Sequence, residues 1–260
     1  MIDLHSHVLP GIDDGPSTIE ESLEFMRVAA GQGTTVLAAT PHLRSDFPDV
    51  QVEHVAESCA ELNRLADGGA VPTVTPGGEV DLVWAQKASD EQLRLASFGQ
   101  RGSDLLVETP YGILPENFEE LIYHLSLRGY RILLAHPERN PTFHSDPKRL
   151  KDLARRGVLL QITLPSVASR KRGSHSRALA LELVREGLAH NLASDSHSPG
   201  SFRPPSLRLG VQAVSEVSPA YAEWMVTDAA AAILEGEPLP AAPQVNGSRR
   251  GLRLPIRLRR

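Results

Sequence analysis

Seven short β-prone segments, each followed by a segment with helical features, alternate along this 260-residue sequence. The β-prone segments are residues 1–4, 34–40, 71–76, 104–107, 131–135, 158–163 and 190–194. Regular alternation of this kind predicts parallel strands joined by helical crossovers. Seven such units in a chain of this length favour a closed barrel over an open, doubly wound sheet. We therefore predict an α/β fold, a (β/α)7 TIM-like barrel.

The length and composition predict one large domain over residues 1–236, followed by a proline- and arginine-rich tail at 237–260. Six arginines and no acidic residue occupy positions 249–260, so the net charge of −5 for the whole chain becomes −11 for residues 1–248. An acidic body argues against a nucleic-acid-binding domain. We expect the tail to be disordered, and a membrane-surface or partner-binding arm is the alternative.

Several features indicate a protein of a reducing compartment. No apolar run approaches the roughly 18 residues that a transmembrane helix needs, and the first residues lack the pattern of a secretory signal. The single cysteine, Cys59, cannot form an intramolecular disulfide, and its register with Val55 and Leu62 predicts a core thiol rather than a nucleophile. We expect a cytoplasmic protein without a transmembrane segment.

Residues of metal-ligand type lie at or just beyond the carboxyl ends of six of the seven predicted strands. In a parallel barrel these ends share one face, which is where active sites are built. A charged cluster at such a face would be costly without a partner, and a metal ion removes that cost. The candidate ligands are His5, His7, Asp14, His42, Glu79, Glu108, His136, Asp195 and His197.

Nine ligands are too many for one ion. Divalent ions with mixed nitrogen and oxygen ligands take about four to six donors each, so a bridging carboxylate such as Glu108 would let the set serve two or three ions. Imidazole and carboxylate ligands without thiolate suit Mn, Fe or Zn, and the residue types do not decide among the three. Nucleotide-binding alternatives lose support because the sequence has neither a Gly-x-Gly-x-x-Gly nor a Walker A motif.

These motifs together resemble the polymerase and histidinol phosphatase (PHP) superfamily across about residues 1–236. Within that superfamily, Asp13-Asp14-Gly15-Pro16 and His136-Pro137-Glu138-Arg139 resemble the CpsB/YwqE-type bacterial tyrosine-protein phosphatases. The resemblance implies a distorted seven-stranded β/α barrel, the PHP fold, with a trinuclear site that often depends on Mn. It also implies that the nine candidates above are the ligands, and that the substrate is the tyrosine-rich tail of a bacterial tyrosine kinase that controls exopolysaccharide synthesis.

The same resemblance suggests Arg139 and Arg203 as phosphate-binding residues, with Arg44 as a weaker third candidate. A guanidinium presents a planar fork that matches phosphate oxygens, which agrees with this assignment. One departure concerns the segment after the sixth predicted strand, where relatives tend to carry an asparagine-containing turn and this chain has Ile162-Thr163-Leu164-Pro165. Substrate contacts from that segment are therefore left open.

The implied reaction is hydrolysis of a phosphate monoester by a metal-bound hydroxide in an in-line displacement. Arg139 and Arg203 would neutralise developing charge, and Asp195 or His197 would relay a proton to the leaving group. The alternatives are a small-molecule phosphatase, for example one acting on histidinol phosphate, and a non-catalytic binding protein that keeps its metals for stability. The acidic body disfavours a nuclease. The native metal, the partner kinase and the oligomeric state stay open at this point.

Overall fold

The structure is a computed structural model that describes residues 1–66, 70–200 and 203–245. The strands are β1 (Ile2–Ser6), β2 (Val36–Ala39), β3 (His42–Leu43), β4 (Thr73–Pro76), β5 (Glu79–Val80), β6 (Asp104–Glu108), β7 (Arg131–Ala135), β8 (Leu159–Thr163) and β9 (Asn191–Ala193). The helices are α1 (Ile19–Gly31), α2 (Val55–Leu65), α3 (Leu82–Lys87), α4 (Asp90–Ala96), α5 (Phe118–Leu127), α6 (Pro141–Ser145), α7 (Pro147–Arg155), α8 (Leu164–Val167), α9 (His175–Arg185), α10 (Leu207–Ser215), α11 (Pro219–Val226) and α12 (Asp228–Glu235).

The described strands form two parallel sheets with the strand orders β1-β2-β4 and β3-β5-β6-β7-β8-β9. Strands β6 and β8 are buried along their whole length, and β7 is buried at all but its first residue, as expected for parallel strands covered on both faces. In the longest ladder, residues 104–108 of β6 pair in register with residues 131–135 of β7. The prediction of an α/β fold with parallel strands is confirmed.

The prediction of one sheet closed as a seven-stranded TIM-like barrel is not confirmed, because the described strands divide between two sheets. The second and third predicted strands correspond to β2 and β4. Each is followed, after Pro41 and after Gly77-Gly78, by a short further strand, β3 or β5, that belongs to the other sheet. Proline has no N–H to donate to a ladder. A Cβ on Gly78 would lie 2.5 Å from the Leu43 side chain, so a larger residue at this position would force Leu43 to shift.

The two sheets meet where β1 and β9 end. Ser6 and Ser196 form a parallel bridge outside the named strands. The His7 N–H donates to the Ser196 carbonyl at 2.9 Å, and the Asp195 N–H donates to the His5 carbonyl at 3.0 Å. Because the chain also passes directly from β2 to β3, the carboxyl ends of both sheets lie on the same side of the molecule. This shared edge is where the candidate ligands lie.

An apolar core fills the space between the sheets and the helices. Cys59 is buried beside Leu62 and Val55, as predicted, and burial raises the pKa of its thiol to about 12, which makes it inert. Among the described residues, every helix is too short or too polar to cross a membrane.

The described part of the predicted tail contacts the body. Val245 is buried in the core, and the carbonyl of Glu237 accepts a hydrogen bond from Arg131 at 2.7 Å. The six arginines at positions 249–260 lie outside the described residues.

Candidate metal centre

The structure brings all nine candidate ligands to one site at the shared strand edge. Eight of the nine are buried, and Asp14, in the loop after β1, is about half exposed. Four groups of side chains each offer nitrogen and oxygen atoms within 4.8 Å of one another, a spacing that could hold a metal ion. The groups are His7, Asp14, His42 and His197; His5, His7 and Asp195; His5, Glu79 and His136; and His42, Glu79 and Glu108.

Glu79 lies at the centre of this site. Its Oε1 atom is 2.8 Å from His136 Nε2, and its Oε2 atom is 2.9 Å from His42 Nδ1 and 3.4 Å from His5 Nε2. Burial alone would favour the neutral acid, but the surrounding imidazoles outweigh it and hold the pKa of Glu79 well below its usual range. Glu79 is therefore a carboxylate, and it is shared by two of the four groups.

Four atoms of the site that could bind a metal ion have no hydrogen-bond partner among the described residues. They are His5 Nε2, His7 Nε2, His42 Nδ1 and Glu79 Oε2. The 2.9 Å approach of His42 Nδ1 to Glu79 Oε2 lacks hydrogen-bond geometry and does not satisfy either atom. A buried polar atom without a partner costs about 1–3 kcal/mol. Divalent cations would satisfy all four atoms, so the residues present fit a metal centre.

Neighbouring side chains fix the orientation of two of these imidazoles. His5 Nδ1 lies 2.7 Å from Gln161 Oε1, and His7 Nδ1 lies 2.7 Å from Asp13 Oδ2. When the neutral ring donates from Nδ1 to this oxygen, its Nε2 carries the lone pair and faces the site. This is the arrangement that metal-ligating histidines have in proteins.

Sequence reasoning assigned no role to Asp13 or Gln161, although each leaves a signal. Asp13 is the first of the paired aspartates in the loop after β1. Gln161 is a polar residue between apolar neighbours in strand β8, where its Nε2 donates to Asn191 Oδ1 at 2.9 Å. A fully buried amide in an apolar strand indicates a specific hydrogen-bonding role.

Arg139 and Arg203 approach the same carboxylate at the rim of the site. Arg139 Nη1 donates to Asp195 Oδ2 at 2.6 Å, and Arg203 Nη1 lies 3.4 Å from the same oxygen. Arg139 Nη2 also donates to Thr163 Oγ1 at 2.7 Å, so the last residue of β8 supplies a hydroxyl to this arginine. The two side chains are 23% and 24% exposed, which leaves them accessible from solvent.

Arg44 lies at another part of the rim, away from Asp195. Its Nη1 donates to Glu108 Oε1 at 2.7 Å, and Asp46 accepts two further bonds, at 2.6 and 2.9 Å. Burial and the nearby Glu79 charge raise the pKa of Glu108, and the charges of His42 and Arg44 oppose them. Arg44 thus balances the charge of a candidate ligand, and the phosphate-binding role expected of it stays a prediction.

Comparison with known proteins supports the resemblance seen in the sequence. The family described as "Capsular polysaccharide synthesis, CpsB/CapC" matches residues 1–235. The tyrosine-protein phosphatase YwqE of Bacillus subtilis is 34% identical over 199 residues, which cover 76% of this chain and 78% of that protein. The tyrosine-protein phosphatase CpsB of Streptococcus agalactiae serotype III is 26% identical over 223 residues, covering 80% and 86%.

A solved structure shares the fold. It comes from work on YwqE of Bacillus subtilis and CpsB of Streptococcus pneumoniae, which are described as unique metal-dependent tyrosine phosphatases. It superposes with a TM-score of 0.80 and 30% identity, covering 94% of this chain and 99% of that one. These relatives confirm the predicted family and the predicted enzyme class. The chain therefore belongs to the CpsB/CapC family of capsular polysaccharide synthesis proteins.

Proposed function

We propose that the protein is a metal-dependent protein-tyrosine phosphatase whose nine clustered ligands hold two or three divalent ions. One observation carries the proposal: four buried candidate ligand atoms without hydrogen-bond partners converge inside a site whose rim carries two arginines. Metal-dependent hydrolysis needs both parts, since the first can hold cations and the second can hold phosphoryl oxygens. The named activities of the relatives support the same reading.

The metals supply one part of the chemistry: when bound, they activate a water and polarise the phosphoryl oxygens. The donor set of imidazoles and carboxylates suits Mn, which we favour, and also Fe or Zn. His5 and His7 are held by Gln161 and Asp13 with Nε2 facing the site, so little reorganisation is needed on metal binding.

The arginines of the rim orient the substrate and neutralise its charge. Arg139 and Arg203 share the Asp195 carboxylate, which aligns both guanidinium groups at the same point of the mouth. A planar fork can then bind two phosphoryl oxygens at once. The interaction strengthens as charge develops on these oxygens in the transition state.

Asp195 and His197 are the two candidates for proton transfer to the leaving group. Burial opposes ionisation of Asp195, but His5 and Arg139 outweigh it and hold the pKa of this carboxyl well below its usual range. A carboxylate held ionised is a poor acid, and burial lowers the pKa of His197 as well, so both side chains are weak proton donors at neutral pH. A phenolate needs little help, because the pKa of tyrosine is only about 10.

We further propose that the physiological substrate is the tyrosine-phosphorylated tail of a bacterial tyrosine kinase acting in capsule or exopolysaccharide synthesis. The family description, which concerns capsular polysaccharide synthesis, supports this choice. A small-molecule phosphatase on the same metal platform and a non-catalytic metal-stabilised protein are the competing functions.

The test compares substrates on protein stripped of metal with a chelator and reloaded with Mn, Fe or Zn. We expect reloading to restore hydrolysis of a phosphotyrosine peptide, with a higher kcat/KM than for histidinol phosphate. Arg139→Lys should lower kcat/KM by about 10- to 100-fold through loss of the fork, while metal stoichiometry stays unchanged. Surface-exposed Arg155→Lys on α7 is the matched control. A preference for histidinol phosphate, or metal-independent activity, would refute the proposal.

A further inference from the structure

An exposed apolar segment lies beside the metal centre and has no role in the chemistry described above. Tyr111 is 68% exposed and Ile113 is 86% exposed, and both belong to the connection between β6 and α5. Only a few large apolar side chains among the described residues are this exposed, and two of them are separated here by one glycine. Exposed apolar patches of this kind mark interaction sites more often than chance placement does.

Hydrogen bonds from one buried side chain hold this segment in place. The Asn140 amide donates to the Pro110 carbonyl at 2.7 Å and to the Gly112 carbonyl at 2.9 Å, on either side of Tyr111. The Leu114 N–H donates to Thr142 Oγ1 at 3.1 Å, and the Leu114 side chain is buried. Tyr111 and Ile113 are therefore presented to solvent by a fixed backbone. A fixed apolar surface loses little entropy when a ligand binds.

Arg44 connects the segment to the ligands of the metal centre. Arg44 Cζ lies 5.6 Å from the centre of the Tyr111 ring and 5.3 Å from the centre of the Phe47 ring. The same guanidinium donates to Glu108 at 2.7 Å, and the Phe47 ring stacks on His42 at 4.9 Å between centroids. Arg44 thus contacts both aromatic rings and the ligand Glu108, and the Phe47 ring contacts the ligand His42. The two rings form one wall of the mouth.

We propose that Tyr111, flanked by Phe47 and Ile113, binds the aryl ring of the phosphotyrosine substrate. The inference rests on the proposed phosphatase function and adds a basis for its aryl specificity. A substrate whose phosphoryl group occupies the metal centre extends its ring outward by one ester oxygen, toward the wall of the mouth. Aromatic rings pack favourably in offset or edge-to-face arrangements, and an alkyl phosphate would forgo that contact.

The test measures binding, so that it does not depend on turnover. Phenylphosphonate and methylphosphonate are titrated calorimetrically into the full chain loaded with Mn, and the ratio of the two Kd values gives the aryl preference. We expect Tyr111→Ala to reduce this preference by about 2- to 10-fold, the range of one aromatic contact. Tyr111→Phe should retain it, because the ring remains. Tyr123→Ala, which removes a similarly exposed ring from the outer side of α5, is the matched control and should leave the ratio unchanged.

Each outcome decides one statement. Equal weakening of both phosphonates by Tyr111→Ala would show that the ring acts only through Arg44 and Glu108, and it would overturn the inference. Wild-type protein without any aryl preference would overturn it as well. Aryl preference that is lost in Tyr111→Ala, in a protein that hydrolyses no phosphomonoester with any metal, would support the aryl site and overturn the phosphatase function alone.

Discussion

Strand β1 places two kinds of buried polar group side by side. Asp3 and His5 point to the same side of the strand, and both are almost completely buried. Asp3 Oδ1 accepts from the backbone N–H groups of Ser194 at 3.0 Å and His5 at 3.3 Å, and burial still raises the pKa of this carboxyl. His5 and His7, by contrast, leave Nε2 unpaired. Burial of a polar residue thus does not distinguish a structural group from a functional one, whereas unpaired atoms that converge do.

The largest expected effect distinguishes the side chains of the metal site from the structural carboxylate Asp3. Glu79→Gln removes the central charge of the metal site, and we expect kcat/KM toward a phosphotyrosine peptide to fall by at least about 100-fold, with loss of bound metal. Asp3→Asn, on the same side of β1 as His5, should retain metal and activity because the amide oxygen of asparagine can accept the same two backbone hydrogen bonds. Elemental analysis and kinetics on both variants test this. Equal metal loss in both variants would contradict the distinction between a structural carboxylate and the metal-binding side chains.

A smaller effect is expected from the residues that orient the imidazoles. Asp13→Asn leaves His7 in place but weakens the bond at Nδ1, and we expect a 10- to 100-fold loss of metal affinity, roughly the range for such outer partners. Competition against a chelator of known affinity measures the change. Asp90→Asn, at an exposed carboxylate of α4 that contacts none of the nine ligands, serves as the control. Unchanged affinity in Asp13→Asn would reduce Asp13 to a loop-forming residue.

His190, which lies outside the metal centre, allows a pH test of a polar group with a structural role. Burial lowers the pKa of His190 to about 4, and the neutral ring accepts the Leu160 N–H at Nδ1. The unfolded chain therefore binds a proton at this histidine near pH 6.5, before the folded one does. Stability should fall as the pH drops from about 6.5 to about 4, by up to about 3 kcal/mol.

Chemical denaturation of chelator-treated wild type and His190→Asn across this pH range measures the contribution. The asparagine keeps an oxygen acceptor near Nδ1 but cannot titrate, so its stability should fall less steeply toward acid. Parallel curves for the two proteins would show that His190 is solvated enough to titrate normally.

The smallest effect is expected from the chain end. Truncation after Val245 removes the six arginines and keeps the packed residues 237–245, so kcat/KM and metal content should stay within about twofold of the full chain. Truncation after Gly236 also removes the buried Val245 and should lower the melting temperature by a few degrees, roughly the effect of losing one apolar side chain from the core. A large loss of activity in the shorter deletion would instead assign the arginines a role in substrate binding.

Much of this architecture could be predicted from the sequence. The alternation of segments indicated parallel strands, and the positions of His42, Glu79 and Glu108 after them indicated one shared site. Local patterns carry this information because parallel strands end at a common edge. The short strands β3 and β5 that follow Pro41 and Gly77-Gly78 were not anticipated, because a strand of two residues leaves no recognisable pattern in the sequence.

The sequence by itself determined the class of fold, the identity of nine candidate ligands and the absence of thiolate among them, because residue type and spacing are local properties. Tertiary structure alone decided which atoms go without partners and which arginine faces which carboxylate. It paired Arg139 and Arg203 with Asp195 but Arg44 with Glu108. It also brought Gln161 to His5, and Tyr111 to the ring of Phe47 through Arg44. These contacts join residues distant in the chain, so no local pattern encodes them.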